Sequence, residues 1–272
     1  MGVWLQLTGE RETVWKCRCQ PLTHTPSSLI SSITTVQRRH RHSLPAAIQP
    51  QNYPLEEHYQ SKAKKYWDGF YKRHKNKFFK DRHYLEKDWG NYFSDDSCCP
   101  NGNPKVVLES HSEFREERVN AFVCNVVNDD LSRNVNPSSV DVVTLIFMLS
   151  AVSPKKMPLI LQNIKAVLKP DGYILVCDYA IGDFAQVKLL DRNQMIGDSF
   201  YVRGDGTCSF YFSEDFLSTL FLEAGFSTVD INIHLKQIKN RSRDITMNRR
   251  WIRAIFNNVN KHLSLSCSNS RS

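Results

Sequence analysis

Four stretches of the chain combine residue types that could do chemistry. Asp178-Tyr179 follows the apolar run "YILVC" (173–177), setting a carboxylate and a phenol at the end of a predicted strand. Open α/β sheets place their reactive groups at such ends. A loop cap is the alternative role for Asp178. In "YVRGDGT" (201–207) Arg203 precedes Gly204 and Asp205 stands between Gly204 and Gly206, glycines that allow close backbone approach. Arginine there can hold a phosphate or stack on a base, whereas a plain β-turn would need only the glycines. "NRSRDITMNRRW" carries Arg241, Arg243, Arg249 and Arg250, suited to phosphate contact or to a solvated basic surface. "KVVLESHSEF" (105–114) begins as a buried strand ending in the carboxylate of Glu109. It then meets Ser110-His111-Ser112 where a nucleotide-binding protein would place a glycine-rich turn.

The elements that must position these groups are legible from periodicity. Two apolar strands are predicted within 119–127 and 138–152. The segment "SPKKMPLILQNIKAVLKP" reads as a helix, with Met157, Ile160, Leu161, Ile164, Val167 and Leu168 on one face. Lys169-Pro170-Asp171-Gly172 ends it and 173–177 is the next strand. "SEDFLSTLFLEAGF" is a second capped amphipathic helix, stopped by Gly225. Two closing strands are expected in 226–233 and 247–257. Alternating strands and helices predict a mostly parallel sheet with an antiparallel finish.

Ahead of this α/β region, residues 56–93 are rich in aromatic and basic side chains. Trp67, Phe70 and Tyr71 recur at helical spacing, fitting either a docking helix or a rim for exposed bases. Residues 94–104 read as a linker and 258–272 as a disordered tail. Residues 1–55 form a basic, Ser/Arg-rich leader with no acidic residue from Thr13 to Leu55. Its composition fits a transit peptide or an unstructured extension. The expected location is cytoplasmic, or mitochondrial or plastid if the leader is a transit peptide.

The 272 residues, 41% of them hydrophobic, suffice for a substantial core, and a net charge of +8 suits a polyanionic partner without requiring one. Eight cysteines without a C-x-x-C pair point to a reducing compartment. No apolar run approaches the roughly 18 residues of a membrane span.

Taken in order, "YWDGFYKRHKNKFFKDRH", "SSVDVVTLIFMLSAVSPKKM", "DYAIGDFAQ", "FYVRGDGT", "FYFSEDFL" and "MNRRWIRAIF" resemble the methyltransferase-like tRNA 3-methylcytidine methyltransferases. The resemblance covers roughly residues 60–257. It implies a class I, Rossmann-like methyltransferase sheet with helices on both faces over 105–257. It also implies S-adenosylmethionine as cofactor and methyl transfer to N3 of a cytosine in the tRNA anticodon loop, with no metal. The partners it implies are tRNA and a tRNA-selecting protein, seryl-tRNA synthetase in one branch of the family. Matched position by position, it gives Trp67, Tyr71, Glu109, Asn125, Val126 and Ile146 to the cofactor. Asp178 and Tyr179 take the catalytic position, and Arg203, Asp205, Arg249 and Arg250 face the substrate.

The chain departs from that family pattern after Glu109. It runs through Ser110 to Asn120 into what should be the third strand, so the glycine-rich loop, first helix and second strand are expected to be missing. Direct pairing of the first and third strands is one expected repair. Asn125 replaces a family Asp, and Cys177 and Cys208 replace arginines. The alternative function is therefore a truncated, noncatalytic isoform that binds tRNA or a partner.

Overall fold

The computed structural model describes residues 3–9, 13–19, 53–74, 89–92, 119–242 and 244–259. Seven strands form one sheet in the order β3-β2-β1-β4-β5-β10-β9. They are β1 (Val3–Gly9), β2 (Thr13–Cys19), β3 (Val119–Val123), β4 (Val140–Ile146), β5 (Leu168–Tyr179), β9 (Ser227–Asn240) and β10 (Ile245–Asn257). A second small sheet joins β6 (Met195–Gly197), β7 (Phe200–Val202) and β8 (Cys208–Phe210). The helices are α1 (Tyr53–Ser61), α2 (Ala63–His74), α3 (Met157–Val167), α4 (Phe184–Asp191) and α5 (Glu214–Glu223). No helix among the described residues is long and apolar enough to cross a membrane.

The predicted helices form where local chemistry put them. Pro154 opens a 3-10 turn, and α3 then buries Met157, Ile160, Leu161, Ile164 and Val167 completely. Leu168, read as the end of that helix, instead begins β5. Lys169-Pro170-Asp171-Gly172 forms an irregularity in β5 pairing between Leu168 and Tyr173. Gly172 is required there, since a Cβ would sit 2.9 Å from the Leu168 side chain and 3.0 Å from the Asp141 carbonyl. In α5 the Ser213 hydroxyl accepts the Phe216 N–H and Gly225 takes a φ of +82° at the stop.

Strands β4 and β5 run parallel, while β10 is antiparallel to both β5 and β9, as the closing pair was expected to be. β9 and β10 are longer than predicted because each continues past the end of β5. Asn258, assigned to the tail, belongs to the domain: its Nδ2 donates to the Lys169 carbonyl and its N–H to that of Gly172.

The described part of the leader is not an unstructured extension. Within the leader, residues 3–9 and 13–19 are strands, paired antiparallel with each other. This hairpin stands between β3 and β4, with β2 parallel to β3 and β1 antiparallel to β4. One described neighbour of β3 is therefore a leader strand, which satisfies one side of its ladder. Residues 105–109 and the linker 94–104 lie outside the described residues.

The main core lies on the sheet face covered by α3 and α5, joining Val143, Leu145, Ile174, Val176, Ala254 and Phe256 to the helices. Trp89 and Tyr92 cover Val142, Leu175, Cys177 and Ile255 on the other face. Phe221 of α5 stacks on Phe256 of β10 with ring centroids 3.7 Å apart, both rings fully buried. Phe256→Ala is expected to cost about 3–5 kcal/mol from the transfer and cavity terms together. Urea unfolding, read as a lowered midpoint at unchanged slope, checks it.

Candidate functional site

The site gathers where β4 and β5 end. Both strands are buried along their bodies and emerge together, β4 at half-buried Ile146 and Phe147, β5 at Asp178 and half-buried Tyr179. Phe147 adopts a φ of +49°, a left-handed conformation that bulky side chains rarely take. Its N–H donates to the Cys177 carbonyl at 2.8 Å, so the parallel ladder holds the strained residue beside the Tyr179 ring, 4.8 Å away. Strain of this kind concentrates where a chain must present a particular surface.

Asp178 is fully buried. Its Oδ2 accepts the Ser150 N–H at 3.0 Å and its Oδ1 the Tyr179 N–H at 2.8 Å. Burial pushes its pKa up to about 6, opposed by the hydrogen bonds from Ser150 and Tyr179 and by the positive charge of Arg203. A carboxylate without exposed surface cannot touch a substrate. Asp178 ties the end of β5 to the turn after β4, and half-buried Tyr179 is the member that reaches the surface.

Arg203 arrives from the loop between β7 and β8. Its N–H donates to the Thr207 carbonyl at 2.7 Å, and the Gly206 N–H donates to the Arg203 carbonyl at 2.9 Å. Asp205, expected to face the substrate, turns inward: Oδ1 accepts from both the N–H and the hydroxyl of Thr207. The Arg203 guanidinium lies 5.5 Å from the Tyr179 ring centroid, a cation–π distance. Tyr211 adds a third ring, 5.7 Å from Tyr179. Gly206 has a φ of +83° and its Cα lies against the Tyr66 ring of α2, leaving no room for a Cβ. Gly206→Ala should therefore displace the Arg203 loop and lower thermal stability, and Tyr66→Ala in the same chain should recover only the steric part of that loss. Comparing the melting temperatures of the two variants checks this.

The remaining predicted residues are distributed as follows. Trp67 is buried in the main core beside Phe70 and chiefly docks α2, while Tyr71 stays half-buried next to it. Val126 is fully buried and offers no surface to a ligand. Asn125 opens a tight turn, its Oδ1 accepting the Val127 N–H, and Asn163 of α3 braces that turn at the Val126 and Asp129 carbonyls. Glu109 lies outside the described residues. The Arg249 Nε donates to buried Asp183 Oδ2 at 2.8 Å, and the Arg250 side chain packs over Gly182. Cys208 is buried, which pushes its thiol up to about 12 and keeps it neutral. Sequence reasoning missed Phe147, Ser150, Asp183 and Tyr211, whose roles depend on partners distant in the chain.

An α/β sheet with reactive and aromatic side chains at the ends of its central parallel strands is the arrangement of a ligand-binding α/β domain. The family model described as "Methyltransferase domain" matches residues 45–231. The mouse tRNA N(3)-cytidine methyltransferase METTL6 is 34% identical over 230 residues, covering 72% of this chain and 81% of that protein. The fission yeast tRNA N(3)-methylcytidine methyltransferase trm141 is 30% identical, covering 74% and 94%. A methyltransferase structure from Methanosarcina mazei superposes with a TM-score of 0.40 at 19% identity, covering 52% of this chain and 68% of its own. The chain belongs to the tRNA N3-cytidine methyltransferase family.

The family's cofactor is S-adenosylmethionine, and the described residues fit it chemically. The half-buried rings of Phe147 and Tyr179 suit a soft sulfonium cation, with buried Tyr211 backing Tyr179 from within.

Proposed function

We propose that this chain methylates N3 of a cytosine in the anticodon loop of tRNA. The observation that carries the reading is the grouping of Tyr179, Phe147 and Arg203 around buried Asp178 at the carboxyl ends of β4 and β5. S-adenosylmethionine, when bound, supplies the methyl group as a sulfonium electrophile. Cytosine N3 already carries a lone pair, so no residue has to remove a proton before attack. Positive charge appears on the base as the bond forms, and the half-buried Tyr179 and Phe147 rings favour it. Tyr71, Asn125 and Ile146 are assigned to the cofactor, and Tyr179 with Arg203 to the base and its phosphate. Catalysis then depends on alignment and water exclusion.

A basic surface lies next to this site. Trp251 of β10 pairs with Tyr179, the last residue of β5, and among the described strands residues 245–250 pair with 235–240 of β9. The β9–β10 hairpin therefore projects beyond the sheet at the site's own end. It exposes Lys236, Lys239 and Arg241, and stacks Trp251 on His234 with the Arg249 guanidinium 5.5 Å from the Trp251 ring centroid. Cations interleaved with rings suit unstacked RNA loops. Replacing Lys236 and Lys239 together by Gln should raise KM for tRNA and lower the slope of log affinity against log salt by about two. Filter binding over a salt series checks it. The reading extends to a tRNA-selecting partner, seryl-tRNA synthetase in one branch of the family.

A second reading, a binding module without transfer activity, is favoured by one feature: no glycine occurs from Lys105 to Val127. Thermal unfolding with and without S-adenosylmethionine separates the two, since a ligand bound only by the native state raises the midpoint. A raised midpoint with 3-methylcytidine formed in tRNA supports the enzyme. An unshifted cooperative transition with no product, but retained tRNA binding, supports the module.

A further inference from the structure

Carboxylates are seldom buried without partners. Glu56 of α1 is only 8% exposed. Its Oε1 accepts the Ser153 hydroxyl at 2.6 Å and its Oε2 the Lys155 ammonium at 3.0 Å. Neighbouring Lys156 is held below its ordinary range by burial, partly countered by the Glu56 charge. The Cβ position of Gly197 in β6 would lie 3.6 Å from Oε2, so this carboxylate fills the junction of α1, β6 and the turn ahead of α3. None of these residues belongs to the site described above.

The turn that Glu56 grips also serves that site. Three residues before Ser153, the Ser150 N–H donates to Asp178. On the following helix, Tyr66 lies against Gly206, whose N–H fixes the Arg203 carbonyl. The α1–α2 pair thus touches both flanks of Asp178-Tyr179: the turn after β4 through Glu56, and the arginine loop through Tyr66. Ala63, Trp67 and Phe70 bury the apolar side of α2, but apolar packing is non-directional and leaves the angle of the pair free. The directional hydrogen bond from the buried Ser153 hydroxyl to Glu56, supported by Lys155, narrows that freedom.

We propose that Glu56 is a positioning residue for methyl transfer. By latching α1 and α2 to Ser153 and Lys155, it sets the Arg203 loop against Tyr179. The inference rests on the methyltransferase reading for its kinetic consequence, though not for its geometry. Glu56→Gln keeps an acceptor for the Ser153 hydroxyl, and the largely exposed Lys155 can turn to water. Glu56→Ala leaves the junction open.

The full chain, Glu56→Ala, Glu56→Gln and Ser153→Ala are compared by tRNA methylation kinetics and by amide hydrogen exchange, each well below its melting temperature. Glu56→Ala should lower kcat by about 10- to 100-fold with little change in KM for tRNA, since displacement of aligned groups acts on the transition state. It should also speed exchange at 203–207, and Glu56→Gln should restore both. If Glu56→Ala does not fold, Ser153→Ala decides by the same readouts, with smaller changes in the same direction. A lowered melting temperature with wild-type kcat and wild-type exchange at 203–207 overturns the proposal. A wild-type chain that transfers no methyl group overturns the methyltransferase reading instead, and the exchange comparison still decides the latch.

Discussion

Asp178→Asn is expected to reduce tRNA methylation by about 100-fold or more, the scale set by a 1 Å misplacement of aligned groups. The two carboxylate oxygens receive N–H donors from opposite sides, Ser150 and Tyr179. An amide supplies one acceptor, so its NH2 must face one of those donors. A buried N–H left in this way costs about 1–3 kcal/mol, and Arg203 loses the nearby negative charge. Steady-state kinetics with a melting curve on the same preparation separates misalignment from unfolding.

The pH behaviour follows from the same residue. Its folded pKa of about 6 stands above the ordinary 3.8 because burial disfavours the charged form. A carboxyl raised in this way stabilises the fold below pH 4, and that contribution is lost as pH rises through about 6. This is the reverse of the salt-bridged aspartate pattern. Activity runs the other way: protonation removes the charge that offsets Arg203, so kcat should fall as pH drops through about 6. In Asp178→Asn that limb should disappear, and a pH–rate profile of both forms decides it.

A large loss of stability is expected from Asp183→Ala. Asp183 is fully buried, and its Oδ1 accepts the Ala185 N–H to cap α4. Its Oδ2 accepts both the Arg249 Nε and the Arg250 N–H at 2.8 Å. Losing the cap costs about 1 kcal/mol, and stripping one partner from a buried ion pair about 3–5 kcal/mol. The two overlap, so a total of about 4 kcal/mol is expected, a large part of an ordinary domain's stability. Asp183→Asn keeps the cap and should recover part of it. Urea midpoints rank the three forms. A loss under about 1 kcal/mol in the alanine variant would mean that Arg249 finds solvent once released.

Local order was written in the sequence. The apolar spacing of Met157 to Val167 and the Ser213 cap with its Gly225 stop named two helices, because caps and periodicity act within a few residues. The strands around Val140 and Tyr173, and the placing of Asp178-Tyr179 at a strand end, followed from short apolar runs. The family, too, was legible in six ordered motifs.

What the residues do was decided by partners that local pattern does not encode. Arg249 looked like a free phosphate ligand until the fold brought it to Asp183, 66 positions away. Glu56 finds Ser153 across 97 positions and Asp178 finds Ser150 across 28. The leader's first nineteen residues read as a basic extension, yet the sheet takes two strands from them. A strand is stabilised mainly by the ladder and packing its neighbours supply, so its own residues leave the outcome open. Sequence determined the helices, the strands of the α/β region and the lineage they come from. Only tertiary structure decided which charges are buried in pairs and which remain to meet a substrate, because burial is a property of the whole packed chain.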